Sequence, residues 1–156
     1  MKLSPNFSVR EFTRSQTALR KGIDNSLGQE ELINLVYLVA KCIQPIRDVH
    51  GPVNVNSGFR CLELNRAIGS SDSSAHVKAQ AADIEANSIS NYDLAKWISE
   101  NLEFDQLILE YPGPDPRDGW NHIAYKNDGS NRKQILTAMR EDGKTVYKEG
   151  LISEWH

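Results

Sequence analysis

The sequence predicts a single α+β domain spanning residues 1–156, with N-terminal helices packed on a mainly antiparallel sheet. Three observations carry this expectation. A chain of 156 residues supports one core, hiding roughly 68–70% of the surface its unfolded form exposes, and leaves no room for a second. Between residues 29 and 46 the apolar positions recur at steps of three and four, the period of a helix stripe. After residue 80 short alternating runs separated by Gly, Pro, Asn and Asp take over, and helices followed by hairpin-connected strands define the class.

In chain order, residues 4–27 are polar and turn-rich, but Phe7, Val9, Phe12 and Leu19 give them anchors to wrap the core, and Ser8 with Glu11 three residues later is a capping-box pattern for a short helix. From Gln29, the residues Leu32, Leu35, Val36, Val39, Ile43 and Ile46 lay one stripe along the main core helix. Pro45, lacking an amide donor, predicts a kink or end near residue 44, and Gly51-Pro52 closes the segment. Val53, Val55 and Ser57 alternate with two asparagines as a strand, and Gly58-Phe59-Arg60 opens a shorter helix to about Ile68. Residues 69–75 are loop. Ala81–Ala86 reads as a strand with Asp83 on the face of Ala81 and Glu85, and Ser90 caps a helix carrying Leu94, Ile98 and Leu102. Strands follow at 105–110, 120–125 and 132–138, separated by a Pro-rich excursion and by Asn127-Asp128-Gly129-Ser130, with an edge hairpin around Asp142-Gly143 and an uninformative end toward His156.

Composition narrows the function. Eighteen basic against 21 acidic residues give a net charge of -3, which excludes a broad phosphate-tracking surface and with it nucleic acid as a partner. Cys42 and Cys61, each in apolar or helix-like surroundings, suit a reducing compartment and form neither a disulfide framework nor a thiolate cluster. No run approaches 18 apolar residues and the first ten lack an apolar signal core, so the expectation is a chain without signal peptide or membrane insertion, cytoplasmic in its producing cell.

The chemistry-bearing candidates are His76, Asp83 and His122. Imidazole nitrogen and carboxylate oxygen are sound zinc ligands, and three protein ligands leave a fourth position open, as catalytic centres do. Spacing alone leaves two readings: a metal centre, or a strand histidine packed beside Trp120 with Asp83 as a cap. Alternation favours the first, since His122 shares a face with Trp120 and Ala124 while Ile123 and Tyr125 take the core side.

The segment Ser74-Ala75-His76-Val77-Lys78-Ala79-Gln80-Ala81-Ala82-Asp83 resembles the Ser-x-His-x-x-Gly-x-Ala-x-Asp signature of zinc D-Ala-D-Ala carboxypeptidases and related peptidoglycan endopeptidases, whose fold is shared with the hedgehog signalling domain. Trp120-Asn121-His122 resembles the Trp-x-His that carries the third ligand, and Ser57-Gly58-Phe59-Arg60 resembles the segment whose arginine sits by the substrate. Phe7-Ser8-Val9-Arg10-Glu11-Phe12, with Gly22-Ile23-Asp24-Asn25, is similar to the small phage-encoded branch, so the likeness runs from about residue 4 to 138. It implies a hedgehog/DD-peptidase-like fold, Zn2+ on His76, Asp83 and His122, and hydrolysis of peptidoglycan stem peptides, by carboxypeptidase or endolysin-like endopeptidase action, in a protein that reaches the wall after lysis or assembly.

Two positions depart from the pattern. Ala79 replaces the usual glycine, and the expectation is that an ordinary φ makes this harmless. Gly119 stands where members often place a glutamate, three residues before the last histidine; the base is then expected at Glu110, with Asp118 as the loop-borne alternative. Arg60 offers a fork for a stem-peptide carboxylate, Ser74 a donor near the oxyanion, and Trp120 with Tyr111 walls for the groove. The alternative is a non-catalytic zinc-bearing structural or binding module of a phage particle.

Overall fold

Short polar caps and one long apolar stripe build the N-terminal half. The computed structural model describes residues 1–153, and the sequence reading toward His156 lies outside them. Strands β1 (Lys2–Ser4) and β2 (Phe7–Ser8) form a small ribbon, followed by α1 (Val9–Thr13) and α2 (Gln16–Lys21). The capping box forms, with Ser8 N–H donating to Glu11 Oε1 at 3.0 Å, and Ser15 Oγ accepts from Ala18 N at the start of α2.

Helix α3 (Gln29–Leu38) runs through one π-helical turn (Val39–Ile43) into α4 (Gln44–His50). Pro45 therefore does not end the helix near residue 44. The wider turn before it takes up the missing amide and the ring's bulk, and Pro45 sits in the first turn of α4, where no intrahelical donor is required. The buried stripe is Leu35, Leu38, Val39, Cys42, Ile43 and Ile46; Val36 falls off it and is exposed.

β3 (Val53–Ser57) leads to α5 (Leu62–Ala67), whose start lies beyond Gly58-Phe59-Arg60 because those residues make contacts to other segments. A 3-10 turn (Ala75–Lys78) then precedes β4 (Ala81–Ala86) and α6 (Asn91–Asn101), capped by Ser90 Oγ accepting from Asp93 N. The last strands are β5 (Gln106–Glu110), β6 (Trp120–Ala124), β7 (Gln134–Glu141) and β8 (Lys144–Glu149). They join β3 and β4 in a six-stranded sheet of order β3-β4-β6-β5-β7-β8, antiparallel except for β5 with β7. This is the α+β arrangement expected, with one correction: the turn at 127–130 does not make a hairpin. Both edges of β6 are taken, by β4 and β5, so the chain crosses to the far side of β5 and β7 pairs there in parallel. β7 also runs on to Glu141, and Asp142 and Gly143, both at positive φ, turn it into β8 as a tight hairpin.

Alternation gives the sheet two faces. Ala82, Ile84, Leu107, Leu109 and Ile123 are buried on one, against Leu35, Ile43, Leu94, Ile98 and Phe104, each large side chain contributing about 1.5–3 kcal/mol when fully buried. The other face carries Asp83, Glu110, Trp120 and His122. No helix among the described residues is long and apolar enough to cross a membrane.

Candidate metal centre

The sheet register assembles the site. Asp83 of β4 lies directly opposite His122 of β6, which lies opposite Ile108 of β5, and one step along the same strands Trp120 faces Glu110. His76 arrives from the 3-10 turn, whose start is held by Ser74 Oγ accepting from His76 N–H at 3.3 Å. Its ring Nδ1 is 2.7 Å from the Gly58 carbonyl. A carbonyl oxygen only accepts, so Nδ1 carries a proton, and Nε2 faces Asp83 Oδ1 at 3.4 Å. His122 Nδ1 approaches the same oxygen at 3.0 Å and stands 4.0 Å from Glu110 Oε1.

Gly58 has a specific reason to be glycine. A Cβ there would lie 2.5 Å from Phe12 O and 2.8 Å from Phe12 Cα, so only a bare backbone can pass α1 and present its carbonyl to His76. Arg60, two residues on, is braced by Asn65 Oδ1 at 3.0 Å and Ser57 Oγ at 3.2 Å. Burial lowers its pKa while the charges of Asp83 and Glu110 oppose that shift, and a guanidinium stays protonated throughout.

The donor set fits a zinc ion. Ligand atoms of His76, Asp83 and His122 all lie within 4.8 Å of one another. Ligands bound tetrahedrally at roughly 2.0–2.2 Å sit about 3.3–3.6 Å apart; the 3.4 Å from His76 Nε2 to Asp83 Oδ1 is of that size, and the 3.0 Å from His122 Nδ1 is a few tenths shorter. With Nδ1 held by the Gly58 carbonyl, Nε2 is the His76 nitrogen presented to a metal, and it faces the carboxylate oxygen that His122 also approaches.

Residues 5–124 match the sequence profile of the family described as peptidase M15. The chain belongs to the peptidase M15 family. No curated protein matches it. The matched region ends with β6, so the hairpin of β7 and β8 lies outside it. As an M15 peptidase the protein falls among zinc-dependent metallopeptidases, and His76, Asp83 and His122 are the residues that could hold the metal.

Electrostatics separate the two carboxylates of this M15 site. Burial, the largest influence on Asp83, raises its pKa, but the hydrogen bonds and charges of His122 and His76 together outweigh it and hold the group well below the usual range. Glu110 goes the other way, to about 7, through burial and the neighbouring Asp83 charge, with His122 and Arg60 opposing.

Of the two base candidates, Glu110 lines the cavity with the three ligands, whereas exposed Asp118 packs against Gly113 and accepts from Asp115 N at 3.2 Å within its own loop. Gly119 explains the absence of a glutamate there: at φ +75 its Cβ would collide with the Glu110 carbonyl oxygen, so the position admits no side chain. The excursion is tied down by Asn91 Nδ2, which reaches the carbonyls of Arg117, Asp118 and Gly119 at 3.0–3.4 Å, and by Arg117 on the carbonyls of Ala86, Asn87 and Ile89.

Two expectations need correction. Ala79 is not at an ordinary φ but at +56, because it ends the 3-10 turn in the left-handed conformation that swings the chain into β4. That costs about 1–2 kcal/mol, offset in part by a methyl that is fully buried. Tyr111 does not itself line the groove: its ring packs edge-on against Trp120 at 5.5 Å, its hydroxyl bonds Thr145 Oγ1 at 2.7 Å, and the Arg140 guanidinium covers the ring. Trp120, Arg60 and Ser74 do line the cavity of about 580 Å³. Sequence reasoning missed the roles of Gly58, Asn65, Asn91 and the cavity-lining Tyr147. Of these only Tyr147, on a strand with alternation around a hairpin turn, carried a readable signal.

Proposed function

We propose that this M15 peptidase hydrolyses peptide bonds of peptidoglycan stem peptides, as a D-Ala-D-Ala carboxypeptidase or an endopeptidase of endolysin type, acting on the wall after lysis or assembly. His76, Asp83 and His122 hold Zn2+, and Glu110 is the general base. The observation that carries the reading is the convergence of two imidazoles and a carboxylate on one sheet face, with a second, protonatable carboxylate one step away. When bound, zinc supplies Lewis acidity and lowers the pKa of a water in the site.

The remaining work falls to the chain. Glu110, poised near neutrality by its buried position, takes a proton from the attacking water and returns one to the leaving amine. Asp83 stays ionised beside it, so the two carboxylates hold opposite roles. Gly58 fixes the His76 tautomer through its carbonyl. Arg60, held in plane by Asn65 and Ser57, directs its remaining donors to a substrate carboxylate or to the oxygen that gains charge. Ser74 accepts from His76 N–H, which leaves its hydroxyl proton to donate across the groove, and Trp120 supplies an apolar wall.

The test is digestion of purified peptidoglycan and synthetic stem peptides by the zinc-loaded chain, read by mass spectrometry, with zinc counted by elemental analysis. Glu110→Gln is expected to lower kcat by roughly 10²–10⁴-fold with about one zinc retained, and Asp118→Asn to stay within about twofold of wild type. Full zinc occupancy without turnover of any wall peptide would overturn hydrolysis in favour of a non-catalytic zinc-bearing module. Zinc below about 0.1 per chain after reconstitution would overturn the metal centre itself.

A further inference from the structure

The cavity does not stop at the histidines. One step along the strands from the Asp83–His122–Ile108 row comes a row of Ala81, Ala124 and Gln106, two of whose three side chains are single methyl groups, so the floor drops. Past it the same cavity is lined by Lys78, Asp105, Lys126 and Arg132. Among the described residues three cations share that end with one carboxylate, and the carboxylate is already committed. Arg132 Nε and Nη2 hold the two oxygens of buried Asp105 at 3.0 and 2.9 Å, and Arg132 N–H adds a bond at 3.2 Å. Lys126 Nζ is 3.9 Å from Asp105, beyond hydrogen-bond distance, on a side chain 39% exposed. Exposed Lys78 engages Asn34 only through its backbone carbonyl. Asp128, on the turn after β6, bonds Ser130.

We propose that this end of the groove is a carboxylate subsite, in which Lys126 and Lys78 receive a free carboxylate carried by the substrate peptide at a distance from the scissile bond. The inference rests on the peptidase reading above and extends it from cleavage to selection. Lys126 follows His122 by four residues, about 13 Å of extended chain, and a peptide lying along the sheet rises at the same rate. With the reach of a lysine, the carboxylate belongs about two to four residues from the bond that is cut. An ammonium is a point charge tolerant of approach angle, and it binds a carboxylate by charge-assisted hydrogen bonds that a carboxamide cannot match. Substrates are thus sorted by whether that group is ionised or amidated.

Two stem peptides that differ only in carboxylate against carboxamide at this residue provide the test, with kcat/KM measured on the zinc-loaded chain. The carboxylate peptide is expected to be favoured about tenfold, through KM, with the preference shrinking in about 0.5 M NaCl. In Lys78→Gln/Lys126→Gln the preference narrows to about twofold or less, while Lys96→Gln, which removes one lysine charge on the exposed side of α6, keeps it. Fluorescence anisotropy of the labelled peptides on the metal-depleted full chain reads the same preference without cleavage. Equal handling of both peptides, or a preference that survives the double substitution, overturns the subsite while cleavage keeps the peptidase reading intact. Selective binding with no cleavage supports the subsite and overturns the peptidase reading.

Discussion

Replacing Gly119 by alanine tests the link between the excursion and the base. The backbone sits at φ +75, where an L side chain costs about 1–2 kcal/mol. The added Cβ would also overlap the Glu110 carbonyl oxygen and lie 2.7 Å from that of Tyr111, contacts that only a backbone shift relieves, at about 1–3 kcal/mol. Together the two effects give about 2–5 kcal/mol, and at roughly 2–4 °C per kcal/mol for a domain of this size the melting temperature of Gly119→Ala falls by roughly 4–20 °C. The shift moves the residue that carries the base, so activity on wall peptides drops as well; a misplacement of about 1 Å is worth about 10²-fold. Scanning calorimetry and kcat on the zinc-loaded variant measure both. A melting temperature within about 1 °C of wild type, with full activity, would refute the account of why a glutamate is excluded from this position.

Three other outcomes follow from the same geometry. Asn91→Ala strands the carbonyls of Arg117, Asp118 and Gly119 and is expected to lower stability in urea by about 1–3 kcal/mol and to speed proteolysis within residues 111–119. Ala79→Gly is expected to be neutral within about 1 kcal/mol by urea unfolding, because relief of the left-handed backbone is cancelled by about 0.8 kcal/mol of lost methyl burial and the greater freedom of the unfolded glycine chain. Asp105, buried yet bonded to Arg132, has a lowered pKa. The folded state therefore binds its proton more weakly than the unfolded chain, and the stabilisation is present above the ordinary aspartate value near 3.9 and lost as pH falls through the lower folded one. Asp105→Asn should be less stable than wild type at pH 7 by about 1 kcal/mol, with the gap in urea midpoint closing under strong acid.

The α+β class, the Ala81–Ala86 strand and the Ser90 cap were legible because each rests on local periodicity or a single side chain. Ligand chemistry and alternation made His76, Asp83 and His122 candidates, and the family pattern made that set specific, since no local period links residues 76 and 83 to residue 122. What the chain did not announce depends on distant partners. The continuation of the helix through Pro45 needs the π-helical turn before it, and the left-handed Ala79 is set by the junction of the 3-10 turn with β4. The parallel placement of β7 follows from both edges of β6 being occupied, which is a property of the sheet and not of residues 126–133.

The core face and the site face are one constraint. A strand alternates with period two, so the packing that buries Ile84, Leu107, Leu109 and Ile123 is what turns Asp83, Glu110 and His122 outward, and pairing fixes Asp83 opposite His122. A slip of β4 by one residue would bring an isoleucine or an alanine opposite His122 and send the carboxylate toward the core. The ligand geometry is thus specified mostly by residues that never touch a metal or a substrate. His76 is the exception. It stands on a turn outside the sheet, and its placement depends on a separate device, the carbonyl of a glycine pressed against α1. Weakening the contact of Gly58 with Phe12 should therefore disturb one ligand and leave the register of the other two in place.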